Sequence, residues 1–203
     1  MFMLNKVSFA AAAVLLLAGA AQSQDTRSEV SLGVTGNFSR QSQGNDVIQE
    51  PTQSGGFVAS YRFDFRPQMA VELNYAFTRN SQNFTLPGLV FAPIQTDIHE
   101  VTAAYVLGFH VSSRLKPFVL GGGGGLIFSP TSTFNNTSFG ASTQTKPAAL
   151  FGGGADYTVY HKIALRLQYR GLLYKAPDFG VSNFTTGAWG LMSEPSAGVV
   201  FKF

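Results

Sequence analysis

The chain has 203 residues with 19 Phe, 22 Gly and no Cys, 12% charged residues and a formal net charge of +3. The missing cysteine excludes disulfides, thiolate metal sites and a lipid-modified N-terminal Cys, and no basic cluster supports nucleic-acid binding. A mean hydropathy of +0.10 is too low for a helical membrane protein, yet it suits a chain that is apolar at every second position.

The N-terminus reads as a secretory signal. Lys6 supplies the positive end, an apolar run covers Val7 to Ala21, and small residues at Ala18-Gly19-Ala20 and Ala21-Gln22-Ser23 fit a cleavage site. The run is shorter than the roughly 20 residues of a spanning helix. Residues 1–23 are therefore expected to be cleaved, leaving 24–203 as one domain.

Eight stretches of period-two alternation follow. The first, 29–39, sets Val30, Leu32, Val34 and Phe38 against Glu29, Ser31, Thr35 and Asn37. The second, 56–65, sets Phe57, Ala59, Tyr61, Phe63 and Phe65 against Ser60, Arg62 and Asp64. In the third, 69–78, Met69, Val71, Leu73, Tyr75 and Phe77 oppose Glu72, Asn74 and Thr78. The fourth, 98–111, places Val101, Ala103, Tyr105, Leu107 and Phe109 opposite Glu100, Thr102, Ala104, Gly108 and His110.

In the fifth, 117–128, the apolar set Phe118, Leu120, Leu126 and Phe128 is expected to face outward. The sixth, 148–159, points Phe151, Ala155, Tyr157 and Val159 outward and Asp156 and Thr158 inward. The seventh, 163–173, sets Ile163, Leu165, Leu167, Tyr169 and Leu173 against Arg166, Gln168 and Arg170. The eighth, 191–203, carries Glu194, Ser196 and Lys202 on its polar face. Strands of about ten residues match a tilted crossing of a bilayer.

The connections alternate between short (66–68, 112–116, 160–162) and long (40–55, 79–97, 129–147, 174–190). This predicts an all-β fold: an eight-stranded antiparallel up-and-down transmembrane barrel with short periplasmic turns and four long extracellular loops. The long segments contain Phe84, Phe91, Phe134, Phe139, Phe184 and Trp189, which are read as loop packing or as part of an interfacial belt.

From the fifth stretch onward the sequence resembles a known family. LKPFVLGGGGG at 115–125, GGGADYTVYHKIALRLQYRG at 152–171 and the terminal AGVVFKF are similar to eight-stranded OmpA-type outer-membrane barrels. The resemblance implies location in the bacterial outer membrane and contact with outer-membrane lipids and lipopolysaccharide. It also implies a terminal assembly signal, Val199, Phe201 and Phe203, read by the barrel-assembly machinery. It names an architecture, not an activity.

Arg62, Asp64, Glu72, Glu100, Asp156, Arg166, Arg170 and Glu194 all fall on polar faces. An eight-stranded barrel is just wide enough to be filled by side chains, and a lone buried charge is costly. These residues are expected to form an interior charge network, with Arg62–Glu72 and Arg166 or Arg170 with Glu194 as candidate pairs. The network reads as a plug or as a gated pore.

Other motifs weigh less. Gly121 to Gly125 lacks the Gly-Lys-Ser/Thr ending of a phosphate loop and reads as strand glycine. His110 and Ser112 resemble the His-x-Ser pair of lipid A deacylase barrels. No cofactor, metal or catalytic set is expected. The leading reading is a non-enzymatic barrel acting as envelope scaffold, small passive pore or surface-contact protein through a partner at its loops. The alternatives are an enzyme on lipid A or phospholipid, and a secreted lipocalin-like ligand binder.

Overall fold

Alternation of apolar and polar side chains commits each stretch to a strand with one lipid-facing row, and a sheet in lipid must close on itself to leave no unpaired edge. The computed structural model describes residues 27–44, 47–86, 89–90, 94–131, 140, 142–180 and 187–203. The expected leader, 1–23, lies outside them, as do Phe91, Phe134, Phe139 and Phe184. Eleven strands occur among the described residues: β1 Ser28–Ser39, β2 Ser42–Gly44, β3 Val47–Pro51, β4 Ser54–Arg66, β5 Met69–Leu86 and β6 Leu89–Val90, then β7 Ile94–Gly108, β8 Leu115–Pro130, β9 Gln144–Tyr160, β10 Ile163–Lys175 and β11 Trp189–Lys202.

Eight of these close a barrel in the order β1-β4-β5-β7-β8-β9-β10-β11, with β11 returning to β1 and every pairing antiparallel. Closure is visible in the register. A path across the strands from Glu29 runs through Arg62, Glu72, Ala104, Gly122, Leu150, Leu172 and Met192 and returns to β1 at Ser39. The offset, residue 39 minus residue 29, is ten. For eight strands this corresponds to a tilt of roughly 40–45°. About ten residues per strand at that tilt span about 25 Å, the height of an outer-membrane apolar band.

The outward rows match the expected faces on seven strands. Leu32, Val34, Phe57, Leu73, Val101, Leu165 and Leu167 are all exposed on the outer wall. Strand β8 is the exception. Phe118, Leu120, Leu126 and Phe128 are buried inside, and Val119, at 46% exposure, faces out. Five consecutive glycines carry no face signal, so sequence gave the strand no parity beyond its apolar residues. Those residues turn inward because hydrocarbon shares the lumen with its polar groups: Leu126 and Phe128 join the buried cluster of the long-loop half, and Phe118 packs beside Arg62 and Arg166. Gly122 and Gly124 are required by backbone approach to β7: an added Cβ would stand 2.0 Å from the Ala103 carbonyl oxygen at the first and 2.1 Å from that of Val101 at the second.

Strand lengths differ from expectation at the long-loop end. The 79–97 segment is mostly sheet, since β5 continues to Leu86 and β7 begins at Ile94. The 40–55 segment folds back as β2 and β3, with β3 pairing the extension of β5. Phe84 lies in β5, and Trp189 starts β11 on the outer face. At the other end β7 stops at Gly108 rather than Val111, and 109–114 form the turn.

Candidate functional site

Among the described residues, chemistry-bearing side chains converge in the lumen, and cross-strand register brings them there. Glu29 faces Arg62 and Lys202, Arg62 faces Glu72, Arg166 faces Asp156, and Arg170 faces Glu194. Directly opposite residues on one face of an antiparallel pair sit about 5 Å apart at Cβ, so opposite charges there meet.

Two ionic groups result. Toward the short turns, Arg166 donates from Nε to Asp156 Oδ1 at 2.7 Å, from Nη1 to Glu72 Oε2 at 3.1 Å and from Nη2 to Glu29 Oε2 at 3.1 Å. Arg62 donates from Nε to Glu72 Oε2 at 2.8 Å and from Nη1 to Asp156 Oδ2 at 3.3 Å. Lys202 Nζ lies 3.3 Å from Glu29 Oε1. Phe118 completes this layer: the Arg62 guanidinium carbon sits 4.3 Å from its ring centroid and that of Arg166 5.2 Å. A ring face next to two guanidinium groups supplies cation–π attraction in a desolvated site.

Mid-barrel, Arg170 is held between two carboxylates. Its Nη1 donates to Glu100 Oε1 at 3.0 Å and its Nη2 to Glu194 Oε2. Thr102 adds a bond to Glu100 Oε1 at 2.8 Å, while Glu100 Oε2 has no hydrogen-bond partner among the described residues.

Above this triad the lumen becomes apolar. Ile98, Leu126, Leu172, Phe128, Met192 and Phe179 form part of one buried cluster. Phe128 lies 5.6 Å from Tyr174 and 6.5 Å, edge-on, from Phe179. Phe179 is fully buried although its φ is +54°, a left-handed conformation that is a strained outlier for a bulky residue. Its carbonyl accepts from the Ser142 backbone N–H and hydroxyl, both at 2.9 Å, and Gln144 exchanges bonds with Asp178. A chain of amides lies beside this roof: Gln49 donates to Gln82 at 2.9 Å, and Gln82 to Asn80 at 2.9 Å.

A family model described as the outer membrane protein beta-barrel domain matches residues 9–192. The chain belongs to that family. Among solved structures it is similar to Neisserial surface protein A, at 16% identity over 87% of this chain and 97% of that one, with a TM-score of 0.63. OprG from Pseudomonas aeruginosa shares 15% identity over 90% and 98% of the two chains, TM-score 0.57. Ail, the attachment invasion locus protein of Yersinia pestis, solved with the heparin analogue sucrose octasulfate, shares 16% over 87% and 98%, TM-score 0.53. No curated protein matches the chain. At these identities the solved structures speak to the fold alone. The family match places this barrel in the bacterial outer membrane. The secreted lipocalin-like reading is thereby overturned, and the physical reason is the exposed apolar band on the outer wall.

Within this outer-membrane barrel, Arg62, Glu72, Asp156 and Arg166 come together in one layer and Glu100, Arg170 and Glu194 in the other. Arg166 reaches Asp156, Glu72 and Glu29, whereas Glu194 bonds Arg170. Asp64 stands apart at the short-turn mouth, beside Lys116 in a recess of about 60 Å³. Glu29, Phe118 and Phe179 were missing from the expected network. Glu29 lay on the polar face of its stretch and had a readable signal; Phe118 was hidden by the glycine run, and Phe179 by a loop contact distant in sequence. Ser112 Oγ accepts the backbone N–H groups of Arg114 and Leu115 at 3.3 and 3.0 Å, which makes it a turn acceptor.

Proposed function

We propose that this outer-membrane barrel is a non-enzymatic, closed scaffold, with short turns toward the periplasm, that carries its long-loop end as a contact surface. The observation that supports this most is the filled lumen: two ionic layers lie below a roof in which Ile94, Leu126, Phe128, Leu172 and Phe179 have no exposure. A passive pore needs a continuous wet path, and buried ion pairs followed by close-packed hydrocarbon oppose one. Against enzymatic use of His110 and Ser112 stands the engagement of the serine hydroxyl in its own turn. Extension of β5, β7 and the β2–β3 hairpin past the membrane band favours a surface partner at that end.

The surroundings of this scaffold are outer-membrane lipids and lipopolysaccharide, with no nucleic-acid partner and no cofactor. Val199, Phe201 and Phe203 act as the closing-strand signal for the barrel-assembly machinery. In support, Phe201 is outward, and Phe203 exchanges backbone hydrogen bonds with Ser28 at 2.9 and 3.2 Å, sealing β11 to β1. Swelling of proteoliposomes in small sugars tests the closed reading. Swelling no faster than empty liposomes is expected, and fast swelling overturns it. An altered lipid A acyl pattern in cells overproducing the protein, lost on Ser112→Ala, would overturn the non-enzymatic reading.

A further inference from the structure

Charge is distributed unequally between the two rims. At the short-turn end Arg27, Arg66, Arg114, Lys116 and Lys162 are all exposed, and among the described residues Asp64 is the side-chain carboxylate that stands with them. Glu29 and Asp156, though near, are buried and engaged by Arg166 and Arg62. At the long-loop end Arg40, Arg79, Lys146 and Lys175 are offset by Glu50, Asp97 and Asp178. There Arg79 is held by Asp97 in a two-pronged pair, and Lys175 lies over the Trp189 ring at 6.0 Å. The cationic excess therefore belongs to the short-turn rim.

Each short turn couples a cation to an outward aromatic ring. Arg66 follows Phe65 (40% exposed), Arg114 shares a turn with Phe109 (51%), and Lys162 follows Tyr160 (67%) and His161. Aromatic rings settle at the boundary between acyl chains and headgroups, which sets the neighbouring exposed cations at phosphate depth. A polymer carboxylate lying beyond the membrane would ask for the cations but not for a ring beside each.

We propose that this rim is a binding surface for the phosphate headgroups of anionic glycerophospholipids in the periplasmic leaflet, with Arg66, Arg114 and Lys162 as its three main contacts. The leaflet assignment rests on the reading that the short turns face the periplasm; the lipid chemistry does not. A cation near an anionic membrane surface contributes about fivefold in affinity, so removing three weakens binding roughly a hundredfold.

The test uses the full barrel, folded in a zwitterionic detergent and titrated with phosphatidylglycerol, cardiolipin and phosphatidylethanolamine under native mass spectrometry. Retention of the two anionic lipids over phosphatidylethanolamine is expected. It should fall to the phosphatidylethanolamine level in Arg66→Gln/Arg114→Gln/Lys162→Gln and stay unchanged in Arg79→Gln/Lys175→Gln at the opposite rim. A heat-shifted gel band confirms that each variant is folded. Equal retention by wild type and triple variant overturns the proposal. So does triple-variant-sensitive co-sedimentation with murein sacculi in the absence of lipid preference. Sidedness is read separately, because the chain has no cysteine. Ser113→Cys should react with an impermeant maleimide after permeabilisation and not on intact cells. Reaction on intact cells overturns the periplasmic assignment while leaving the lipid titration to decide the surface.

Discussion

The two halves of the lumen seal the same tube by opposite means. The short-turn half uses charge: Arg62 and Arg166 are shared among Glu29, Glu72 and Asp156, so that each carboxylate meets more than one cation. The long-loop half uses shape, with Phe128, Tyr174, Phe179 and Met192 packed against aliphatic neighbours. The ionic half starts from register, which sets Arg62 opposite Glu72 and Arg166 opposite Asp156, and is completed across the lumen by Arg62 with Asp156 and Arg166 with Glu72. The roof depends on a residue outside the strands, Phe179, held in place by the latch from Ser142. A charged layer therefore fails when one partner is removed, whereas a packed layer fails in proportion to the volume removed.

Arg166→Met strikes hardest at this contrast. It leaves three buried carboxylates to Arg62 and Lys202, one guanidinium short, and is expected to cost about 3–5 kcal/mol. Equilibrium urea unfolding in vesicles, followed through Trp189, the single tryptophan, measures it; a loss below about 1 kcal/mol would mean that the ionic layer is replaceable. Phe128→Ala, in the roof, should cost about 3 kcal/mol, and Phe128→Leu clearly less, because only part of the volume is lost. If the two cost the same, the roof is not close-packed.

Phe118→Leu sharpens the comparison inside the charged half, where an apolar ring packs on the ion pairs. It retains an apolar side chain but removes the ring beside Arg62 and Arg166, for an expected loss of about 1–2 kcal/mol. Combining it with Arg62→Met should then cost less than the sum of the single changes, read by a double-mutant cycle. The smallest effect is expected at Glu100→Gln. Two carboxylates share the single Arg170, and Glu100 Oε2 lacks a donor. Removing that surplus charge should move stability by less than about 1 kcal/mol, in contrast to Arg170→Met beside it.

Much of this was legible from alternation. Leu165-Arg166-Leu167-Gln168-Tyr169-Arg170 states its two faces at each step, and β10 presents them so. The pairing of Arg62 with Glu72 and of Arg170 with Glu194 followed from neighbouring strands of similar length. What alternation cannot carry is which face turns inward when neither is polar, and Pro117, Val119, Ile127 and the glycines gave β8 no polar row opposite Phe118, Leu120, Leu126 and Phe128. Nor does a polar-inside expectation allow for an eight-stranded lumen that is part hydrocarbon, which is why Leu126 and Phe128 were assigned to lipid. Phe179 was unreadable for another reason: a residue in a loop becomes a plug through the Ser142 and Gln144 contacts, and no local pattern encodes those.

Single-channel recording in a planar bilayer tests the sealed lumen most directly. Wild-type barrel should show no current steps at any applied voltage. Phe128→Ala/Phe179→Ala, which opens the roof alone, should also stay silent, because the Glu100–Arg170–Glu194 triad and the Arg62–Arg166 layer still close the tube. Discrete steps from the wild-type barrel would contradict the account, and steps from the roof variant alone would show that the charged half does not seal.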